Sequence, residues 1–293
     1  MGRETDDADY LSSNGKGLFK QGVVWLITLV KRFINHEITY LSGQLAYSLM
    51  FCFFPSLIFL LTLIGKSSID TRSVLIFLES VLPTNSYELI HSTVIEVLTK
   101  SRTDLLAISG LLSIWSGAGG VRAIIKGLNK AYEQKEKRHF IKIFILSFLG
   151  FIGFVVLILF SLFLIVFGEH IGRLVVSMFD FPIVFKHAWD WFRYIMALIS
   201  LIVMFVIMYH FAPSKKLGFK EVLPGAIFSA LGWIISSQIF AFYVNNFTNY
   251  ANIYGGLGGI IALLLWLYIT SMVILIGGEI NGLQDLKRSK KLI

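Results

Sequence analysis

The chain has 293 residues, 56% of them hydrophobic and 15% charged, with a mean hydropathy of +0.74. A soluble domain carries roughly 25% charged residues, so lipid rather than water is the main solvent and a water-soluble globular fold is excluded. The net charge of +8 leaves nucleic acid, an anionic membrane surface or an inside-positive topology as its cause, and the single cysteine, Cys52, excludes a disulfide framework or a cysteine metal site.

Residues 1–17 are polar and partly acidic and lack the basic, apolar, small-residue order of a signal peptide, so a flexible cytoplasmic tail is expected. From residue 18, Phe19, Val23, Leu26, Val30 and Phe33 recur at helical spacing, while Lys20, Lys31 and Arg32 stay polar. That pattern predicts an interfacial amphipathic helix leading into the membrane.

A spanning helix needs about 20 mostly apolar residues. The first such stretch is 44–64, which carries Gln44, Tyr47 and Ser48 and then Pro55. An outer segment, 66–103, holds two further amphipathic stripes, the second opening on Asn85 with Glu88 three residues later in capping-box order. The second span, 104–121, contains Trp115 and the small-residue run 116–120, which suits either close helix packing or local unwinding beside a cavity. Its helix is expected to continue past the membrane, with Arg122, Lys126 and Lys130 on one face at i, i+4 and i+8. Lys126 and Lys130 are expected to face anionic headgroups, each at roughly 1 kcal/mol.

Spans three to six are expected at 140–167, 191–211, 222–244 and 256–278. With the N-terminus inside, 19 of the 26 Lys and Arg residues fall in cytoplasmic segments, and both termini are expected in the cytoplasm. This distribution accounts for the basic charge without nucleic acid. The expected fold is all-α and polytopic: six transmembrane helices with interfacial amphipathic helices, a single membrane domain over 18–286, and a basic cytoplasmic tail at 287–293.

The sixth span ends unusually: Tyr254 and a glycine-rich segment lead in, and Gly277, Gly278, Glu279 and Asn281 close it. Arg122 and Asn129 are expected at the same membrane level. A Glu279–Arg122 pair would be either a structural clamp or a gate that an anionic substrate opens by competing for the guanidinium. Gln44, Tyr47, Trp115, Arg122, Asn129, Tyr254, Glu279 and Asn281 are therefore the candidate cavity or gate residues.

No catalytic residue, metal site or cofactor is expected. His36–Glu37 begins like the zinc-protease pattern H-E-x-x-H, but Tyr40 stands where the second histidine is needed. Neither a phosphate loop nor a nucleophile elbow occurs.

The blocks GQLAYSLMFCFFPSLIFLL, SIWSGAGGVRAIIKGLNKAYE, YHFAPSKKLGFKEVLPGAIFSALGW and the run from Tyr243 to Gly282 resemble, in order, the YihY/BrkB family of bacterial inner-membrane proteins. The likeness extends from about Lys31 to Leu286. It implies a role in envelope lipid handling or export and supplies no set of functional residues. Some family members have been labelled ribonuclease BN, a label that nothing in these residues supports. The leading expectation is a non-enzymatic transporter or exporter of a lipid or amphipathic anion in the cytoplasmic membrane. The alternatives are a membrane scaffold for envelope biogenesis and, behind it, a ribonuclease. Membrane lipids with anionic headgroups and envelope proteins are the expected partners.

Overall fold

The computed structural model describes residues 18–66, 75, 94–95, 103–157, 183–246 and 257–291. Among these residues seven helices and no strand occur: α1 (Leu18–Asn35), α2 (Ile38–Lys66), α3 (Thr103–Ala131), α4 (Phe140–Leu157), α5 (Ile183–Phe211), α6 (Phe219–Asn246) and α7 (Leu257–Lys291). Six of them, α2 to α7, are long and apolar enough to cross a membrane. Helix is the necessary form, because lipid offers no partner for an open backbone amide or carbonyl. Nearly all of the outer segment 66–103, the end of the expected third span (158–167) and Tyr254 lie outside the described residues.

Three helices outrun their apolar stretches. α2 begins at Ile38, six residues before Gln44. α3 continues to Ala131 and α7 to Lys291, so Glu279 and Asn281 sit inside a helix rather than at its end. Hydropathy marks only the part of a helix that lipid requires, whereas backbone hydrogen bonding continues in water.

The chain divides into two compact units. The first comprises Met1–Thr39, Ile124–Gly232 and Val273–Ile293, and so collects α1, α4 and α5, the start of α6 and the last turns of α3 and α7. Its core is built from Leu128 and Ala131 of α3, Phe205 and Tyr209 of α5, Val222 and Ala226 of α6, and Leu275 and Leu283 of α7, all buried. Glycine sets how close these helices come. A Cβ at Gly225 would meet the Gly277 carbonyl and the Asn281 amide, and one at Gly282 would meet the Ala131 carbonyl. Small residues at such positions let backbones touch where lipid gives no hydrophobic drive to associate.

The second unit comprises Tyr40–Ala123 and Trp233–Met272. Its part of α3 packs against α2, with Gly110 facing Phe59 and Gly120 facing Leu49. α3 runs unbroken through the 116–120 run, so those small residues serve packing rather than an unwound cavity wall. Most hydroxyls here are satisfied on their own helix: Ser48 donates to the Gln44 carbonyl, Thr62 to Ile58, Ser113 to Ser109 and Ser116 to Leu112. This i−4 back-bonding is how a hydroxyl tolerates lipid without any ligand.

Candidate functional site

The first unit holds a buried charge cluster. Arg32, on α1, is 1% exposed, and Glu279, on α7, is fully buried. Arg32 Nε donates to Glu279 Oε2 at 2.9 Å, Nη1 to Glu133 Oε1 at 2.6 Å and Nη2 to the Ala131 carbonyl at 2.6 Å. The planar guanidinium thus uses all three nitrogens, a fork geometry that lysine cannot reproduce. The other Glu279 oxygen, Oε1, lies 2.5 Å from His36 Nδ1. His36 Nε2 lies 3.9 Å from Glu133 Oε1.

Local backbone geometry delivers these groups. α3 ends in a Schellman motif: Gln134 N–H bonds the Asn129 carbonyl, and Glu133 N–H bonds the Lys130 carbonyl. The residue that must then take left-handed backbone is normally glycine, but here it is Glu133, at φ 53°. α1 closes the same way on Glu37, at φ 56°, whose N–H bonds the Ile34 carbonyl. A non-glycine residue in that region costs on the order of 1 kcal/mol. At Glu133 the carboxylate offsets this cost by binding Arg32. Glu37 meets Lys130 at 3.3 Å, an exposed pair worth little.

Beside the cluster, Asn281 is fully buried, and its Oδ1 accepts from the Gly225 N–H at 2.8 Å. Its side chain neighbours the Tyr132 hydroxyl. Burial pushes the Tyr132 phenol up, the Asn281 amide opposes this, and the carboxylates of Asp285 and Glu279 add to it. Further along the same helices, Tyr209 donates to the Ile274 carbonyl at 2.6 Å and meets Ser229 Oγ at 2.6 Å, joining α5, α6 and α7.

A second network ties two loops together. Asn129 Nδ2 donates to Glu136 Oε2 at 2.9 Å, and Asn129 Oδ1 accepts from the Ser214 N–H at 2.7 Å. Arg138 donates to both Glu136 oxygens and to the Ala212 carbonyl. The Arg138 guanidinium holds the Glu136 carboxyl down at about 2.

Of the residues singled out from sequence, Asn129, Glu279 and Asn281 fall in the first unit, while Gln44, Tyr47, Trp115 and Arg122 fall in the second. Gln44, Tyr47 and Trp115 are exposed, Tyr47 lies against Phe51, and Arg122 is half-buried. The cation on Glu279 is Arg32, where the sequence offered Arg122. Lys126 and Lys130 are exposed, and Lys130 pairs with Glu37. Asn129 acts as a loop clasp. The sequence reading placed Arg32 on the polar, outward side of α1, and the structure reverses this. Val23, Leu26, Ile27, Val30 and Ile34 are exposed, while Thr28 and Arg32 are buried. The overlooked signal is the polar row Thr28, Arg32, His36, spaced i, i+4, i+8 along α1 and the turn that follows it.

The virulence factor BrkB family profile matches residues 29–291. A Bacillus subtilis protein named "putative ribonuclease-like protein YfkH" is 38% identical over 268 residues, covering 92% of this chain and 97% of its own. UPF0761 membrane protein VV0203 of Vibrio vulnificus is 25% identical over 273 residues, covering 89% and 82%. UPF0761 membrane protein VP0125 of Vibrio parahaemolyticus is 24% identical over 258 residues, covering 87% and 80%. No solved structure matches the chain.

Proposed function

The chain belongs to the virulence factor BrkB family and is a membrane protein, and on that premise we propose that it transports or exports a lipid or amphipathic anion across the cytoplasmic membrane. One observation carries this reading: the Arg32–Glu279 pair buried between an aliphatic-faced helix and a spanning helix. Ionisable groups at such sites are expensive and are by default functional. An amphipathic anion matches both chemistries of α1. Its headgroup competes with Glu279 for the guanidinium, and its chains lie along Val23, Leu26, Ile27 and Val30. Binding would release α7 from α1, so the pair acts as a gate. In this reading both chain termini face the cytoplasm.

The saturation of Arg32 by three acceptors favours a second reading, a clamp inside a non-catalytic envelope scaffold. The ribonuclease-like name of the Bacillus relative is the weakest guide. Among the described residues, Glu133 and Glu279 are held by the Arg32 guanidinium with His36 beside them, and no group of three or more His, Cys, Asp or Glu side chains is placed to hold a metal ion.

Reconstitution decides between transport and scaffolding. Purified protein in phosphatidylethanolamine–phosphatidylglycerol vesicles is expected to speed the exchange of fluorescent phosphatidylglycerol between leaflets. Arg32→Lys, which keeps the charge but loses the fork, is expected to slow that exchange about tenfold or more. Exchange no faster than in empty vesicles would refute the transport reading, and exchange equal to wild type in Arg32→Lys would remove the gate.

A further inference from the structure

We propose that His36 Nε2 is a proton-binding site and, resting on the transport reading above, that the proton bound there is the coupling ion. The argument starts from hydrogen-bond bookkeeping. A carboxylate only accepts, so the 2.5 Å contact between Glu279 Oε1 and His36 Nδ1 needs one proton between them. A neutral imidazole that spends its hydrogen there turns a bare lone pair on Nε2 toward Glu133. That pair faces Glu133 Oε1 at 3.9 Å, acceptor against acceptor. A second proton on Nε2 converts this opposition into an ion pair.

Charge gives the same answer independently. The groups around His36 are Glu279 from α7, Glu133 and Lys130 from the end of α3, and Arg32 and Glu37 from its own helix and turn. Lys130 and Glu37 cancel each other. One guanidinium then faces two carboxylates, one of them wholly buried. A doubly protonated His36 balances the remaining negative charge, together with the water that reaches Glu133. The imidazole is 14% exposed and Glu133 26%, against 1% for Glu279, so water reaches the cluster from the side of His36 and Glu133.

Proton loss also has a mechanical consequence. Arg32 lies in the last turn of α1 and His36 in the turn that follows it, and both hold Glu279. Removing the Nε2 proton restores the excess negative charge at the two carboxylates that pin α1, which loosens the helix that the substrate must displace. In the same unit the buried Tyr132 hydroxyl and Asn281 amide, which lie close enough to interact, offer polar groups to a water that would carry the proton onward.

The test uses the full-length protein labelled with 15N-histidine in lipid nanodiscs, observed by NMR between pH 5 and 8. One of the six histidines is expected to show a doubly protonated ring, and that signal is expected to vanish in His36→Gln. Glu133→Gln, which removes the carboxylate nearest Nε2, is expected to lower the share of the doubly protonated form. A His36 ring that stays singly protonated across the range, or one indifferent to Glu133→Gln, would overturn the site. For coupling, phosphatidylglycerol exchange is expected to depend on pH in the wild type and not in His36→Gln. Exchange independent of pH in both would overturn coupling. No exchange at any pH would refute the transport reading and coupling together, and the titration, read without substrate, would still decide the proton site.

Discussion

Arg32 is the residue on which the first unit depends most, because three acceptors from two other segments converge on it. Removing one partner of a buried, hydrogen-bonded pair strands the other charge, at about 3–5 kcal/mol. Arg32→Ala and Glu279→Gln are therefore each expected to lower the thermal unfolding midpoint in detergent sharply. Joint replacement by Arg32→Met and Glu279→Leu is expected to recover most of that loss, since no unpaired charge remains. A double variant as unstable as the sum of the singles would mean that the two side chains do not interact. Glu136 makes a prediction of different form. Its folded carboxyl is held at about 2 against an ordinary 4.5, chiefly by Arg138. Its contribution is thus present in full above about pH 4.5 and disappears as pH falls through 2. The side chain is partly exposed and solvent screens it, so the contribution is small. Glu136→Gln is expected to flatten the pH dependence of the unfolding midpoint between pH 4.5 and 2 and to leave its shape above pH 5 unchanged.

At the scale of helices, contact distance is set by residues with no side chain to spare. Gly277 has Ser229 Oγ, the Tyr209 hydroxyl and the Gly225 carbonyl where its Cβ would be. None of these is the tip of a flexible apolar chain that could swing aside. Gly277→Ala is expected to push α6 from α7, to break the Tyr209–Ser229 hydrogen bond and to cost about 1–3 kcal/mol. Gly153, with nothing near its Cβ position, is expected to accept alanine without loss. Equal midpoints for the two variants would refute this account of the packing. The helices themselves were legible in the sequence, because lipid demands long apolar runs and the chain shows six. The continuation of α3 to Ala131 was legible from its basic stripe, but the ends at Ile38 and Lys291 were not, because there the backbone stays helical beyond the apolar stretch. Glu279 and Asn281 were legible as anomalies, being polar residues next to an apolar run. The partner of Glu279 was not. Arg32 lies 247 residues away, and Arg122 carries the same charge at the same expected level. Only the Thr28, Arg32, His36 row told them apart, and helical periodicity read for apolar residues alone passes over a polar row that faces inward.

For the whole molecule, the Lys and Arg distribution makes one topology prediction, with both chain termini in the cytoplasm, and the two ends of α6 can test it. Lys216 and Asn246 lie near opposite ends of α6, and both are exposed. Cys52 is the single cysteine and is unpaired, so Cys52→Ala gives a background without thiols. In that background Lys216→Cys is expected to react with a membrane-impermeant maleimide only after the cytoplasm is opened. Asn246→Cys is expected to react in intact cells. Reversed labelling would place the Arg32–Glu279 cluster at the outer surface, where the substrate would meet it on leaving rather than on entering. The gate would then control release, and the proton at His36 would be exchanged with the outside.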